Sequence, residues 1–258
     1  MNNNLNAVKK EKVYAPSQYR LGAQSPACPG CGSPLACNII MDSLEEMGII
    51  ENSVVVIGVG CTGMGFFGTK VDMTFCAHGP APSVAAGIKQ GNYDKSIVFT
   101  IQGDGDCAAI GAGYLVNSAV RGDKITIIMC NNTTYGTTGG QMAPTSLIGQ
   151  TTTTTPEGRI GAKHGYPLHV PEMIAPMQGV AYSARGSVHN FASYQRTKKY
   201  VKKAFQKQID GVGLGFVEIL TACPVNWHMT PVEAMKWIED EMILEYPLGE
   251  FKNVDSIE

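Results

Sequence analysis

A carboxylate and an amide at the ends of two neighbouring apolar strands can hold a hydrated divalent cation against a diphosphate. This chain carries such a pair in Gly103-Asp104-Gly105 and Asn131-Asn132. Residues 97–101 read as a buried parallel strand, the glycines open the turn after it, and the Ala/Gly-rich run 107–120 reads as a closely packed helix. Residues 125–129 form the next strand. Both polar positions therefore fall at carboxyl ends of strands, where open α/β sheets bind ligands. Mg2+ takes hard oxygen ligands and commonly bridges to phosphates, which suits Asp104, the side-chain oxygen of Asn132 and a carbonyl in the following turn. An ordinary strand-to-helix turn followed by an Asn-rich loop is the plainer explanation of the same residues.

The cysteines make a second constellation. Cys28-Pro29-Gly30-Cys31-Gly32 sets two thiols around a permissive turn, Cys61 follows the strand 54–58, and Cys223 follows the apolar strand 215–220. Thiolates on such loops can converge on one [4Fe-4S] cluster, and Pro224 would hold the last loop extended without needing a backbone donor. Four thiolates equally describe a structural zinc site, and Cys28 with Cys31 alone describes a redox dithiol. Cys37, Cys76, Cys107 and Cys130 have no comparable spacing and read as small buried residues.

Further elements must carry these loops. Helices are expected at residues 34–47, 81–89 and 171–181, then a strand at 182–185 and a basic helix at 190–208. That helix's Arg196, Lys198, Lys199, Lys202, Lys203 and Lys207 form a solvated or partner-facing surface. Residues 137–161 form a long Gly/Thr/Pro loop, a coenzyme or interface loop or else plain low complexity. After Cys223 a short helix at 231–241 precedes an acidic, polar tail. Residues 1–25 read as an N-terminal arm and 26–258 as a single domain. At 258 residues and 44% hydrophobic, the chain can bury one substantial core. Its formal net charge of −2 gives no electrostatic reason to expect nucleic acid. Eight cysteines without a signal-like N-terminus point to a reducing cytoplasm and metal ligation, and no apolar stretch is long enough to span a bilayer.

Taken in order, Cys-Pro-Gly-Cys-Gly, Gly-Cys-Thr-Gly, Ala-His-Gly, Gly-Asp-Gly-Asp, Asn-Asn-x-x-Tyr-Gly-x-Thr-Gly-Gly-Gln and Thr-Thr-Thr-Thr-Pro resemble the thiamine-diphosphate-binding β subunit of the 2-oxoacid:ferredoxin oxidoreductases. The resemblance runs from residue 28 to residue 224. It implies a thiamine-diphosphate-binding α/β fold, with a mostly parallel central sheet flanked by helices on both faces. It implies thiamine diphosphate, Mg2+ and a [4Fe-4S] cluster as cofactors and coenzyme A as co-substrate. Matched residue by residue, Cys28, Cys31, Cys61 and Cys223 would ligate the cluster, and Asp104, Asn132 and the Thr134 carbonyl would ligate Mg2+. Gly60, Cys61, Thr62, His78, Gly103, Gly105, Asp106, Tyr135, Gly136, Thr137 and Thr138 would surround the cofactor, with His78 in a catalytic position.

The family commonly reads His-Gly-Arg-Ala where this chain has His78-Gly79-Pro80-Ala81, so a charge and a donor are missing there. The implied reaction is CoA-dependent oxidative decarboxylation of a 2-oxoacid, with electrons passing to ferredoxin. Cys-Pro-Gly-Cys-Gly is closer to the 2-oxoglutarate and branched-chain enzymes. An α subunit would complete the thiamine site with a glutamate, alongside γ and ferredoxin-like δ subunits. A non-oxidative thiamine-dependent decarboxylase or acetolactate-type enzyme and a zinc-stabilised scaffolding subunit are the competing readings.

Overall fold

Runs of apolar, β-branched residues bounded by glycines and polar turns build one sheet in this computed structural model, which describes residues 17–20, 25–91 and 96–257. Helix α1 (Ser33–Glu46), with Pro34 in its first turn, leads into β1 (Ser53–Ile57) and β2 (Asp72–Phe75). Next come α2 (Ala81–Gly91), β3 (Ile97–Gly103), α3 (Ala112–Arg121) and β4 (Thr126–Asn131). A hairpin of β5 (Thr134–Tyr135) and β6 (Gln141–Met142) and the short helices α4 (Gly161–His164) and α5 (Val170–Ile174) lead to β7 (Val180–Ser187). The chain then runs through α6 (Phe191–Ile209), β8 (Leu214–Leu220), α7 (Pro224–Trp227), α8 (Pro231–Trp237), α9 (Ile243–Glu245) and β9 (Gly249–Asn253).

The seven-stranded sheet has the order β2-β1-β3-β4-β8-β7-β9, parallel except for β9 on β7. Side chains alternate between its faces, and both faces of the central strands are buried, so those strands are mostly apolar. Val55, Ile57, Phe99, Ile101 and Ile128 face a core completed by α1 and α6, whereas Val56, Val98, Ile127 and Met129 face one completed by α2, α3 and α5. Phe205 of α6 meets Phe99 edge-on at 5.4 Å, and burial of one such ring stabilises the fold by about 2–3 kcal/mol. A third cluster, around Leu220, Ile238, Met242 and Tyr246, lies beneath the C-terminal helices. Sheet order reverses between β1 and β3, so the loops after β1, β3 and β4 open onto one crevice.

Several elements differ from the sequence expectation. The helix expected at 107–120 is a π-turn over Asp106–Ile110 followed by α3. Gly111 at their junction is wedged so closely that a β-carbon there would lie 2.3 Å from the Asp106 carbonyl. The helix expected at 171–181 stops after α5, and β7 is longer than predicted at both ends. The acidic, polar tail contains β9, an edge strand whose charged residues hid it: Glu250 accepts the Tyr182 hydroxyl at 2.6 Å. β2 was not anticipated. On the basic helix α6, Lys198 and Lys202 pair with Glu46, Lys203 with Glu250 and Lys207 with Asp255, so much of its charge is neutralised within the chain. Of the N-terminal arm, residues 1–16 and 21–24 lie outside the described residues. Among the described residues no helix is long and apolar enough to cross a membrane.

Candidate cofactor and cluster site

The crevice at the sheet reversal is a cleft of about 130 Å3 lined by residues 59–62, 103–106 and 134–138 with His78 and Asn132. It brings together every cofactor-side residue nominated from sequence: Gly60, Cys61, Thr62, His78, Gly103, Asp104, Gly105, Asp106, Asn132, Thr134, Tyr135, Gly136, Thr137 and Thr138. Val59 joins them without any prior signal. Close packing explains the glycines: a β-carbon at Gly105 would lie 2.1 Å from the Tyr135 ring, and one at Gly58 1.8 Å from Asp106 Oδ2. At Gly60 a φ of +145° requires glycine.

Asp104 is buried and its Oδ2 accepts the Thr145 hydroxyl; burial pushes its carboxyl up to about 7. Asn132 Oδ1 accepts the Thr134 amide at 3.2 Å, and the Asn132 carbonyl accepts the Trp227 indole at 3.1 Å. Between them Thr133 sits at φ +57°, a left-handed conformation rare for a β-branched residue. Its carbonyl accepts the Ser146 hydroxyl at 2.5 Å and its own hydroxyl accepts Gln150 at 2.8 Å.

His78 Nδ1 contacts Asp106 Oδ1, which also accepts the Gly79 amide at 2.7 Å, while Asp106 Oδ2 accepts Gln102 at 2.8 Å. A buried carboxylate already receiving two donors takes its third from the ring, so Nδ1 carries a proton. The His78 side chain is 35% exposed, so it remains reachable from the cleft. Sequence reading missed the partners Gln102 and Thr145. A glutamine inside an otherwise apolar strand was a usable signal; Thr145, on a distant loop, offered none.

Cys28, Cys31, Cys61 and Cys223 line a second cavity, of about 270 Å3. The Cys31 amide donates to the Cys28 carbonyl at 3.1 Å, with Gly30 at φ +76° turning the loop. Gly32 N–H donates to the Ala222 carbonyl at 2.9 Å, which ties that turn to the segment bearing Cys223. Cys223 Sγ accepts Asn226 Nδ2 at 3.2 Å, and Cys61 Sγ shares a hydrogen bond with Thr137 Oγ1 at 2.9 Å. Burial raises the Cys31 and Cys223 thiols. Among the described residues no three His, Cys, Asp or Glu side chains stand close enough to share a single metal ion. The remaining cysteines lie elsewhere: Cys37, Cys107 and Cys130 are buried, and Cys76 is half-buried.

The family described as thiamine pyrophosphate enzyme, C-terminal TPP binding domain, matches residues 58–219. The chain is 38% identical over 241 residues to ketoisovalerate oxidoreductase subunit VorA of Methanothermobacter marburgensis, covering 92% of this chain and 50% of that protein. It thus spans about half the length of that relative. With 2-oxoglutarate synthase subunit KorB of Methanothermobacter thermautotrophicus it shares 31% identity over 242 residues, 91% of this chain and 80% of the relative. Its fold matches the structure of 2-oxoglutarate:ferredoxin oxidoreductase from Magnetococcus marinus with 2-oxoglutarate, coenzyme A and succinyl-CoA bound, at TM-score 0.73 and 23% identity, covering 95% of this chain and 87% of that one. With the cleft at the strand ends and these matches along most of its length, the chain belongs to the thiamine-diphosphate-binding enzymes, among the β-type subunits of the 2-oxoacid oxidoreductases.

Proposed function

We propose that this chain is the β subunit of a 2-oxoacid:ferredoxin oxidoreductase. With an α subunit it converts a 2-oxoacid, coenzyme A and oxidised ferredoxin to acyl-CoA, CO2 and reduced ferredoxin. The observation that carries this reading is a shared wall: Cys61, Asn132, Gly136 and Thr137 line both the cofactor cleft and the cysteine cavity. A one-electron acceptor held by the cysteines is then adjacent to the carbon chemistry.

The donor sets fit the groups they would hold. Asp104, Asn132 and Thr134 line one cleft, where two side-chain oxygens and a backbone carbonyl would be the hard ligands Mg2+ takes. Four thiols lining one cavity are the donors an iron–sulfur cluster takes, one thiolate at each iron. When bound, thiamine diphosphate supplies a nucleophilic carbon and an electron sink for decarboxylation. Residues 135–138 line the cleft and would hold the diphosphate, and Gly139 and Gly140, both at positive φ, would let the following backbone approach it. His78, its Nδ1 held by Asp106, would accept or return a proton in the cleft.

The described lining of the cleft holds two aspartates and no glutamate, and the α subunit is assigned the glutamate that polarises the cofactor. Val59, Phe67 and Phe75 are each about half exposed at this end of the sheet, which suits coverage by that partner. γ and ferredoxin-like δ subunits complete the assembly in this reading. Relatives named for ketoisovalerate and 2-oxoglutarate favour a branched-chain 2-oxoacid or 2-oxoglutarate as substrate.

The test is anaerobic purification with co-expressed partners and measurement of iron, acid-labile sulfide and thiamine diphosphate in one sample. Four irons and four sulfides attributable to this chain, with one thiamine diphosphate, are expected. Thiamine diphosphate without iron would move the chain to non-oxidative carbon chemistry, and zinc alone would return it to a structural role.

A further inference from the structure

The turn that carries Asn132 and Thr134 is held from behind by a line of fully buried polar groups. Asn131, at the end of β4, uses both ends of its amide: Oδ1 accepts the Thr133 amide at 2.9 Å, and Nδ2 donates to Glu218 Oε1 at 2.7 Å. Glu218 lies on β8, and its other oxygen accepts Arg185 Nε from β7 at 2.5 Å. Arg185 is itself forked onto Glu172 at 2.6 and 2.7 Å and donates to the Pro247 carbonyl at 3.1 Å. Asn131, Glu218 and Arg185 are each 0% exposed.

A buried ion pair is weak evidence of stabilisation, because desolvation of the two charges offsets their attraction. This one also spends a carboxylate oxygen on an amide that pins a strained residue. The left-handed conformation of Thr133 is strained for a side chain with a β-carbon, so it persists only where its surroundings hold it. If Asn131 turned its amide, the Thr133 N–H would lose its acceptor. The turn would relax, and Asn132 and Thr134 would shift in the wall they share with Asp104.

We propose that Glu218, acting through Asn131 and steadied by Arg185, is a positioning residue for the divalent-cation site. It fixes the Asn132 amide and the Thr134 carbonyl without touching cation or cofactor. The inference rests on the reading of Asn132 and Thr134 as Mg2+ ligands.

The direction of the Asn131–Glu218 hydrogen bond provides the test. Glu218→Gln places two donors opposite one another, at Asn131 Nδ2 or at Arg185 Nε, whereas Asn131→Asp opposes two carboxyls, which a shared proton can bridge. The double variant N131D/E218Q retains every bond with donor and acceptor exchanged: the amide at 218 accepts Arg185 Nε and donates to the carboxylate at 131, which still accepts the Thr133 N–H. It also keeps the net charge of the network. Trp227, whose indole donates to the Asn132 carbonyl at 3.1 Å, is a probe already in place. MgCl2 is titrated into the full chain, with its co-purifying subunits and saturating thiamine diphosphate, while tryptophan emission is followed; melting temperature is recorded for each variant.

E218Q is expected to raise the Mg2+ half-saturation concentration by on the order of tenfold, as loss of a ligand-orienting contact does elsewhere, and the double variant to return it close to wild type. E218Q binding Mg2+ as wild type does, or a folded double variant as weak as E218Q, would overturn the assignment. Where a single variant fails to fold, the double variant decides by itself. A wild-type chain whose emission and thiamine diphosphate binding ignore Mg2+ would instead overturn the cation reading, and the positioning role with it.

Discussion

Burial divides the eight cysteines into chemically different groups. Cys28 is exposed and Cys31, Cys61 and Cys223 are partly accessible around their cavity, while Cys37 is sealed in the core, its thiol pushed up to about 12 by burial. Because the thiolate is the reactive form, native chain prepared without a cluster should be alkylated by iodoacetamide at pH 8 first at Cys28. Cys37, Cys107 and Cys130 should be labelled only after unfolding. Peptide mapping by mass spectrometry reads the order, and labelling of native Cys37 as fast as Cys28 would contradict the burial. At this scale the sequence was informative wherever a residue type is coded by its immediate neighbours: Gly103-Asp104-Gly105, Asn131-Asn132 and Cys28-Pro29-Gly30-Cys31 all announce turns. It was silent on partners. Thr145 reaches Asp104 across 41 residues, and Asn226 reaches Cys223 through a helical turn that no spacing rule anticipates.

Elements carry the charge network. Glu172, in α5, is partly buried, which by itself would raise its carboxyl, but the Arg185 guanidinium from β7 overcomes that and holds it below the usual carboxylate range. Arg185 in turn is kept above its ordinary value by Glu218 and Glu172, against the opposing effect of burial. A carboxylate depressed on folding contributes stability that is full above its unfolded value of about 4.3 and is lost as pH falls through the lower folded value. Glu172→Gln should therefore lower the melting temperature at pH 7, by the equivalent of about 1–2 kcal/mol, and the gap to wild type should close towards pH 3. Thermal melts across that range check it; a gap independent of pH would remove the ionic explanation. Strands β1, β3, β4 and β8 were legible as continuous apolar runs because both faces of a parallel sheet are buried. The edge strands β2 and β9 were not, since an edge strand is half-solvated and carries charges that read as loop.

Viewed whole, the molecule leaves apolar side chains uncovered at the end of the sheet where the cleft opens. Phe67 and Phe75 stack at 5.8 Å and are 50% and 55% exposed. If the α subunit covers them, Phe67→Ser and Phe75→Ser should each weaken assembly by about 1–2 kcal/mol while leaving the melting temperature of the isolated chain nearly unchanged. Co-purification yield and sedimentation of the complex measure this; equal assembly by both variants would place the contact elsewhere. By itself the sequence determined the α/β class, the central strands and the residue types that line both cavities, because strands and tight turns are encoded over a few residues. Only the tertiary structure decided that β4 lies beside β8, and hence that Asn131 meets Glu218 from 87 residues away. It alone put Cys61 and Asn132 into a wall common to two cavities. Such pairings follow from burying both faces of the whole sheet at once, a condition on the entire chain that no local spacing expresses.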